Sequence, residues 1–450
     1  MRVIIVGAGE VGRFLAQRLG AEGNDVVVVE VDEAIAATLA DELDVQVVVG
    51  SATVPSVLDA AGIDRADVLA GVTQNDEVNL IASLLAKEAG VGQTVARIQT
   101  EELRGPAGRA LREAMKTDLI IDPDADTADE ILELAHVSGA DEVYPMSEGA
   151  LLVIGAVISP DSILAGQTLA EVGASYEPDW RFLFGALTRD GETVIPRGDQ
   201  RLEAGDHVRV LTTRDARHEI LELVGAAHRE AKRVMVLGGG AVGSRVAEQL
   251  SDEGADVVLL ERDPERAKFL SERLPYVTIV NGDIEDVDLL AEESIGYQDL
   301  VIAATGDDAA NVLACAFAAS KKSTFTVCVL HRLTLLPVVR QFGIDAALSP
   351  RTASANAVLR HVRGGKTASV ATFLESDVEV DEFRIEPGAP ADGVRVADLH
   401  LPHTIVLGAV IRPGEPGNIV RGSTILHAGD NVVVFARPDS VPALLEAFSA

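Results

Sequence analysis

The sequence predicts an α/β protein: two Rossmann-like doubly wound parallel sheets, each followed by a small α+β module. Three observations carry this expectation. Short apolar strands run into Gly7-Ala8-Gly9-Glu10-Val11-Gly12 and into Gly238-Gly239-Gly240-Ala241-Val242-Gly243, two G-x-G-x-x-G turns 231 residues apart. Around each turn, Val/Ile-rich runs alternate with amphipathic segments, the pattern of a parallel sheet with helical crossovers. The stretches that follow are richer in Gly and Pro and match each other at an offset of 224: Arg197-Gly198, Leu202 and Gly205-Asp206 against Arg421-Gly422, Leu426 and Gly429-Asp430.

The first sheet is expected from strands at 2–6, 25–30, 45–49, 67–71, 94–98 and 118–121. Val11, Leu15 and Leu19 recur every four residues after the first turn, which puts one apolar stripe of a helix on that sheet. The second sheet repeats the order at 233–237, 256–260, 277–280, 299–303, 325–330 and 345–348. In the small modules, each Gly-Asp pair reads as a hairpin turn before an alternating strand, Val208 to Leu211 or Val432 to Phe435, and a closing helix, 215–224 or 439–448. The domains are therefore 1–121, 140–225, 231–350 and 368–450, with linkers at 122–140, 226–231 and 350–368.

Bulk composition narrows the function classes. A chain of 450 residues should hold about three or four compact units. No apolar run approaches the roughly 20 residues of a membrane span, and Met1-Arg2 leads directly into a strand, so a soluble chain working inside the cell is expected. The net charge of −33 repels nucleic acid and anionic lipid. Spread along the whole chain, this acidity reads as adaptation to a salt-rich cytoplasm, with an acidic partner-binding face as the alternative. Cys315 and Cys328 form no CxxC and read as small buried hydrophobes, with no disulfide framework or zinc site.

The glycine turns carry the chemistry. In such a turn the first glycine makes the tight bend, the second lets the backbone approach a pyrophosphate, and the third permits close helix–strand packing at a helix N-terminus that favours anions. Each copy has an acid closing its second strand about twenty residues on, Glu30 or Glu261, suited to the ribose hydroxyls of a dinucleotide. Val31-Asp32 after Glu30 offers no arginine for a 2′-phosphate, so NAD is expected over NADP at the first site. Arg262 after Glu261 has two readings: a surface arginine balancing its acidic neighbours, or a contact to adenine or phosphate that would suit ATP or ADP there.

Further matched positions sit at strand ends, where ligands of open α/β sheets bind. Thr73-Gln74 and Thr305-Gly306 follow the fourth strands, their threonines placed to bond ribose or phosphate, with Asp76 and Asp307 beyond them as expected helix caps. Gly50-Ser51 and Gly282-Asp283 end the third strands, and Arg97 closes the fifth, with Leu330 and His331 near the equivalent place. Catalysis is not expected. The nine histidines pair with no nucleophile or HExxH helix, and His400-Leu401-Pro402-His403 reads as loop rather than metal site.

This constellation resembles the RCK domains that regulate potassium conductance, and the tandem arrangement resembles the TrkA family of Trk potassium uptake systems. The resemblance covers essentially the whole chain. Its most specific parts are the two glycine turns, Ala96-Arg97-Ile98, Glu261-Arg262-Asp263, Ser349-Pro350 and His361-Val362-Arg363. It implies NAD or NADH contacts at Gly7 to Val11, Glu30, Thr73, Gln74 and Arg97, and a second set at Gly238 to Val242 and Glu261. Ser51 departs from the pattern, since an acid, Asp283, follows the glycine in the second copy. The resemblance further implies a cytoplasmic regulatory subunit, peripheral on the inner face of the membrane. It would assemble as a homo-oligomer, dimer or tetramer, into a ring on a membrane-embedded channel subunit. A ring serving another cation channel or antiporter is one alternative, and an NAD-dependent oxidoreductase is another.

Overall fold

The computed structural model describes every residue except 105–107, 138, 178–179, 227–230, 322–324, 363–366, 374–375 and 413–416. It divides into two compact units, one of residues 1–123, 351–407 and 421–450, the other of residues 124–350 and 408–420. Among the described residues no helix is long and apolar enough to cross a membrane.

In the first unit, strands Arg2–Val6, Asp25–Glu30, Gln46–Val49, Val68–Gly71, Gln93–Arg97 and Leu119–Ile121 form a six-stranded sheet in the order 3-2-1-4-5-6. Its pairs are parallel, with Ile4 opposite Val27 on one side and Leu69 on the other. Val3 to Val6 and Val26 to Val29 are all buried, as strands covered on both faces must be. The second unit repeats the sheet, in the same order, with strands Arg233–Leu237, Asp256–Glu261, Thr278–Asn281, Leu300–Ala303, Thr326–Val329 and Ala346–Leu348. The expected fold class is borne out, with strand ends displaced by a residue or so. In this order the first and fourth strands are neighbours whose crossovers run opposite ways, opening a crevice at their carboxyl ends.

Each small module is a five-stranded sheet. In the first, His207–Thr213 lies antiparallel between Leu151–Val157 and Phe182–Arg189. In the second, Asn431–Ala436 pairs antiparallel with Glu379–Arg384.

Two expectations need correction here. The Gly-Asp pairs are not hairpin turns: Gly205 (φ +90°) bends the chain just before strand His207–Thr213, whose partners lie elsewhere in sequence. The turn closes on its own side chain, with Asp206 accepting the Glu203 N–H at 2.7 Å and the Arg189 Nε at 2.6 Å. Asp430 likewise accepts the His427 N–H at 2.9 Å.

The segments 122–140 and 350–368, read as linkers, hold helices Pro123–His136 and Pro350–Val362. Ala128, Ile131, Leu132 and Ala135 follow helical spacing, as do Ala355, Val358, Leu359 and Val362. In the first unit, Ala355 to Val362 join the core of the first sheet with Val3, Ile5, Val11 and Leu15. In the second unit, Ala128 to Ala135 join the core of the second sheet with Val234, Val236 and Val246. Each sheet is thus covered by the helix that follows the other sheet in sequence. Burying one such leucine contributes about 1.5–3 kcal/mol. Most of the expected linker 226–231, with His228, and Arg363 of the family pattern fall outside the described residues.

Candidate nucleotide-binding sites

At the first turn, strand Arg2–Val6 ends in Gly7, which adopts φ +102° and whose missing side chain leaves room for Thr73: a Cβ there would lie 2.9 Å from Thr73 Cγ2. Gly12 lies so close beneath the turn that a Cβ would fall 1.9 Å from the Gly7 carbonyl oxygen. Gly9 is the opposite case. It caps helix Glu10–Ala21 in extended conformation, and a Cβ would meet nothing within 4 Å. The first and third glycines therefore serve the fold, while the second faces open space at a helix N-terminus. The second turn repeats this division, with Gly238 at φ +109° against Thr305, Gly243 2.0 Å from the Gly238 carbonyl by the same measure, and Gly240 unobstructed, its added Cβ meeting only the Ala304 carbonyl oxygen at 4.0 Å.

The acids hold the turns. Glu30, nearly buried, accepts the Ala8 N–H at 2.6 Å and the Asp32 N–H at 3.0 Å, one on each oxygen. Glu261 does the same for Gly239 at 2.9 Å and Asp263 at 2.8 Å. Each carboxylate clasps the glycine turn to the end of the second strand, and its remaining lone pairs are what a ribose hydroxyl could use. Arg266 adds an Nε–H bond to the Gly239 carbonyl at 3.1 Å, a second tie at that turn.

Asn79 closes the other side of the first crevice. Its Oδ1 accepts the Thr73 N–H at 3.0 Å and the hydroxyl at 2.7 Å, while its amide donates to the Arg97 carbonyl at 2.9 Å. Asn311 repeats this with Thr305 and with the Val329 carbonyl at 3.0 Å. Val329, not Leu330 or His331, is therefore the structural twin of Arg97. Both asparagines stand six residues after their threonines in the sequence, where they read as helix caps; the structure makes them this closure instead.

The cap assignments change as well. Asn75 caps helix Asp76–Glu88, whereas Asp76 accepts the Gln99 and Thr100 N–H groups at 3.0 and 2.8 Å. Asp307 does cap its helix, and Asp308 takes the place of Asp76 by accepting the His331 and Arg332 N–H groups, both at 2.8 Å. Burial raises the Asp308 carboxyl, but these N–H groups prevail and hold it below the usual range.

The other expected residues take different places. Val11 and Val242 turn their side chains into the cores, so only their backbone faces the turn. Gln74, Glu10 and Ala241 are exposed, and Arg97 is buried at its strand end. Glu10 pairs with Arg351 at the start of helix Pro350–Val362. Ser51 bonds Thr53 Oγ1 at 2.8 Å. The second crevice is a cavity of about 520 Å³ whose lining includes Gly240, Glu261, Arg262, Asp283, Thr305 and Asp307.

Asp141, Glu142 and His207 place their ligand atoms within 4.8 Å of one another, a grouping that the sequence reading missed. Arg209 occupies Glu142 through two bonds of 2.7 and 3.0 Å, and His207 Nε2 bonds Asp141 at 2.8 Å, so the grouping is an internally compensated charge network.

Comparison with known proteins agrees with this architecture. A TrkA-N domain matches residues 3–123 and 234–350, and a TrkA-C domain matches 153–225 and 380–449. The chain is 30% identical to the Trk system potassium uptake protein TrkA of Azorhizobium caulinodans, covering 100% of this chain and 98% of that protein. It is 32% identical to the TrkA homolog of Archaeoglobus fulgidus, covering both chains fully (100% of each). In fold it is similar to the RCK domain of GsuK (TM-score 0.58, 19% identity, 100% of this chain and 95% of that one). The GsuK channel bound to NAD is similar too (TM-score 0.59, 17% identity, 100% and 79%). The chain belongs to the TrkA family of potassium uptake proteins, with TrkA-N and TrkA-C domains alternating twice along it.

Proposed function

We propose that this chain is a non-enzymatic, cytoplasmic regulatory subunit of a Trk-type potassium uptake system, reading NAD(H) and gating a separate membrane-embedded channel subunit. The observation that carries the reading is the duplicated crevice: strand, clasped glycine turn, open second glycine and Thr–Asn closure, built twice in one chain. The repeating unit is a sheet with its small module, 1–121 with 140–225 and 231–350 with 368–450, joined into a homo-oligomeric ring.

Gly9 and Gly240 would admit the pyrophosphate, Glu30 and Glu261 the ribose, with Thr73, Gln74, Arg97, Asp283 and Thr305 around them. Four carboxylates, Glu261, Asp283, Glu285 and Asp307, and one guanidinium, Arg262, line the second cavity. That field favours NAD(H) over the more highly charged ATP and ADP. The same cavity has no histidine, cysteine or lysine among its described lining residues, which supports reading rather than catalysis.

Gating requires only that the ligand bind two ring shapes unequally. Arg351 offers a lever: it opens the helix that covers the first sheet and neutralises Glu10 beside the first turn. Negative charge at that turn competes with Glu10 for Arg351 and so biases the position of the helix.

Calorimetry of NAD, NADH, ADP and ATP on the full chain tests the assignment. Gly9→Val should abolish one class of site and Gly240→Val the other, and potassium flux through the co-expressed membrane subunit should lose its nucleotide response. Unchanged binding in both variants would sink the site assignment, and steady turnover of NADH with a carbonyl substrate would replace the regulator by an oxidoreductase.

A further inference from the structure

Acidic residues outnumber Lys and Arg by 71 to 38 in this chain, so a cavity whose charged lining is mainly basic runs against its composition. One such cavity, of about 460 Å³, lies in the unit of residues 124–350 and 408–420. The end of helix Pro123–His136, the start of helix Arg217–Val224, the lead into strand Arg233–Leu237 and the end of helix Ala241–Asp252 enclose it. Among the described residues its ionisable lining is Arg214, Arg217, Lys232, His136 and His218, with Glu253 the single carboxylate. None of these residues lines the second glycine-turn crevice.

The acid does not cancel the cations. His136 Nε2 already pairs with Glu253 Oε2 at 2.8 Å. Arg214 is fixed by its Nε–H bond to the Gly149 carbonyl at 2.7 Å and lies 3.4 Å from Glu133. Arg217 stands apart. Its Nη1 donates to the Arg214 carbonyl at 2.7 Å, and among the described residues it forms no ion pair with a carboxylate. Arg217 and His218 begin helix Arg217–Val224 directly after the 3-10 turn Arg214–Ala216.

The cations are not demanded by the module fold. At the offset of 224, Arg214, Arg217 and His218 correspond to Pro438, Val441 and Pro442, none of them basic. The volume falls in the range of about 300–1,000 Å³ typical of small-molecule sites. Ala135, Val137 and Leu250 give it an apolar wall beside the charges. Of the three permanent cations that line it, Arg214 has Glu133 beside it, whereas Arg217 forms no ion pair among the described residues and offers a guanidinium fork suited to the oxygens of a phosphate.

The geometry points to a binding site for a small organic phosphate, its phosphate held by Arg217 and Lys232 with Arg214 behind them and its body against Ala135, Val137 and Leu250. Arg217 comes from the first small module, Lys232 and Leu250 from the second sheet, so an occupant ties these two elements of one unit together.

The test is calorimetry on the full chain at low ionic strength with saturating NAD, using AMP and inorganic pyrophosphate as probes. Both should bind the wild type, and Arg217→Glu and Lys232→Glu should each weaken that binding at least tenfold while melting temperature and NAD affinity stay unchanged. Absence of probe binding to the wild type overturns the proposal, as does probe binding that survives both substitutions. NAD affinity, read in the same variants, reports on the glycine turns separately, so failure of one reading is distinguishable from failure of the other.

Discussion

At the first glycine turn an acid, Glu10, starts the helix and meets Arg351, whereas at the second turn Ala241 stands in that place and four carboxylates line the crevice with Arg262. Beneath this difference the frames coincide: the Glu30 and Glu261 clasps, the Thr73–Asn79 and Thr305–Asn311 closures and the steric roles of the glycines repeat bond for bond. The backbone frame is what any ligand at a turn requires, because it positions N–H groups. Rim charges decide which ligand is held and what its arrival disturbs. Duplication has kept the frame and varied the rim.

Three sets of variants can break or sharpen this comparison. The largest effect is expected from the covering helices. Leu359 lies in the first sheet's core and Leu132 in the second's, at equivalent helical positions. Leu359→Ala and Leu132→Ala should each cost about 2–5 kcal/mol in chemical denaturation. Each should also weaken nucleotide binding most at the turn whose sheet it covers; the reverse pairing would undo the covering arrangement described above.

Next come the buried glycines. Gly12→Ala and Gly243→Ala push a Cβ into the carbonyl of the first turn glycine and should destabilise by about 1–3 kcal/mol or more. Gly9→Ala meets open space and should cost at most about 1 kcal/mol, chiefly at the cap, while still reducing affinity. Equal melting temperatures for Gly9→Ala and Gly12→Ala would erase the division between folding and ligand-facing glycines.

The smallest effect concerns a matched pair of carboxylates. Asp118 accepts the Thr94 N–H at 2.7 Å and faces Lys87 Nζ at 2.6 Å, and Asp345 accepts the Thr326 N–H at 2.7 Å, but alanine, Ala319, stands where Lys87 would be. Burial raises the Asp118 carboxyl, yet Lys87 and Thr94 outweigh it and leave it below the usual range. At Asp345, desolvation by the surrounding protein prevails over the Thr326 bonds and pushes the carboxyl up, a modest effect because the residue itself is exposed.

The signs are opposite. Asp118 stabilises the fold above the unfolded pKa of about 3.9 and loses that contribution as pH falls through its lowered folded value. Asp345 costs stability above its raised folded value, and the cost disappears as pH falls towards the unfolded one. Lys87→Met should raise the Asp118 pKa in carboxyl-detected NMR titration and cost at most about 1 kcal/mol at neutral pH, since a pair this open is screened. An unmoved Asp118 would show that Thr94 alone sets its value.

Much of this was legible in the sequence because its signals were local. Strands, glycine turns and acids repeat at fixed offsets, and each needs only its neighbours to be interpreted. The Asn79 and Asn311 closures were hidden because an asparagine near a helix start reads first as a cap. The covering helices were hidden for another reason: Ala355, Val358, Leu359 and Val362 show helical spacing, but spacing does not say which sheet a helix will cover. The cation cavity draws on four separate segments, so no window along the chain contains it.

The exchanged helices also set an order on the birth of the molecule. A chain emerging from the ribosome completes the strands of its first sheet by Ile121, yet the core shared by Val3, Ile5 and Leu15 gains its last helix only when Val362 has been made. The first sheet must therefore wait, its core short of one helix, while the second sheet is synthesised and receives its helix from upstream. The half of the protein made first is the half that finishes last.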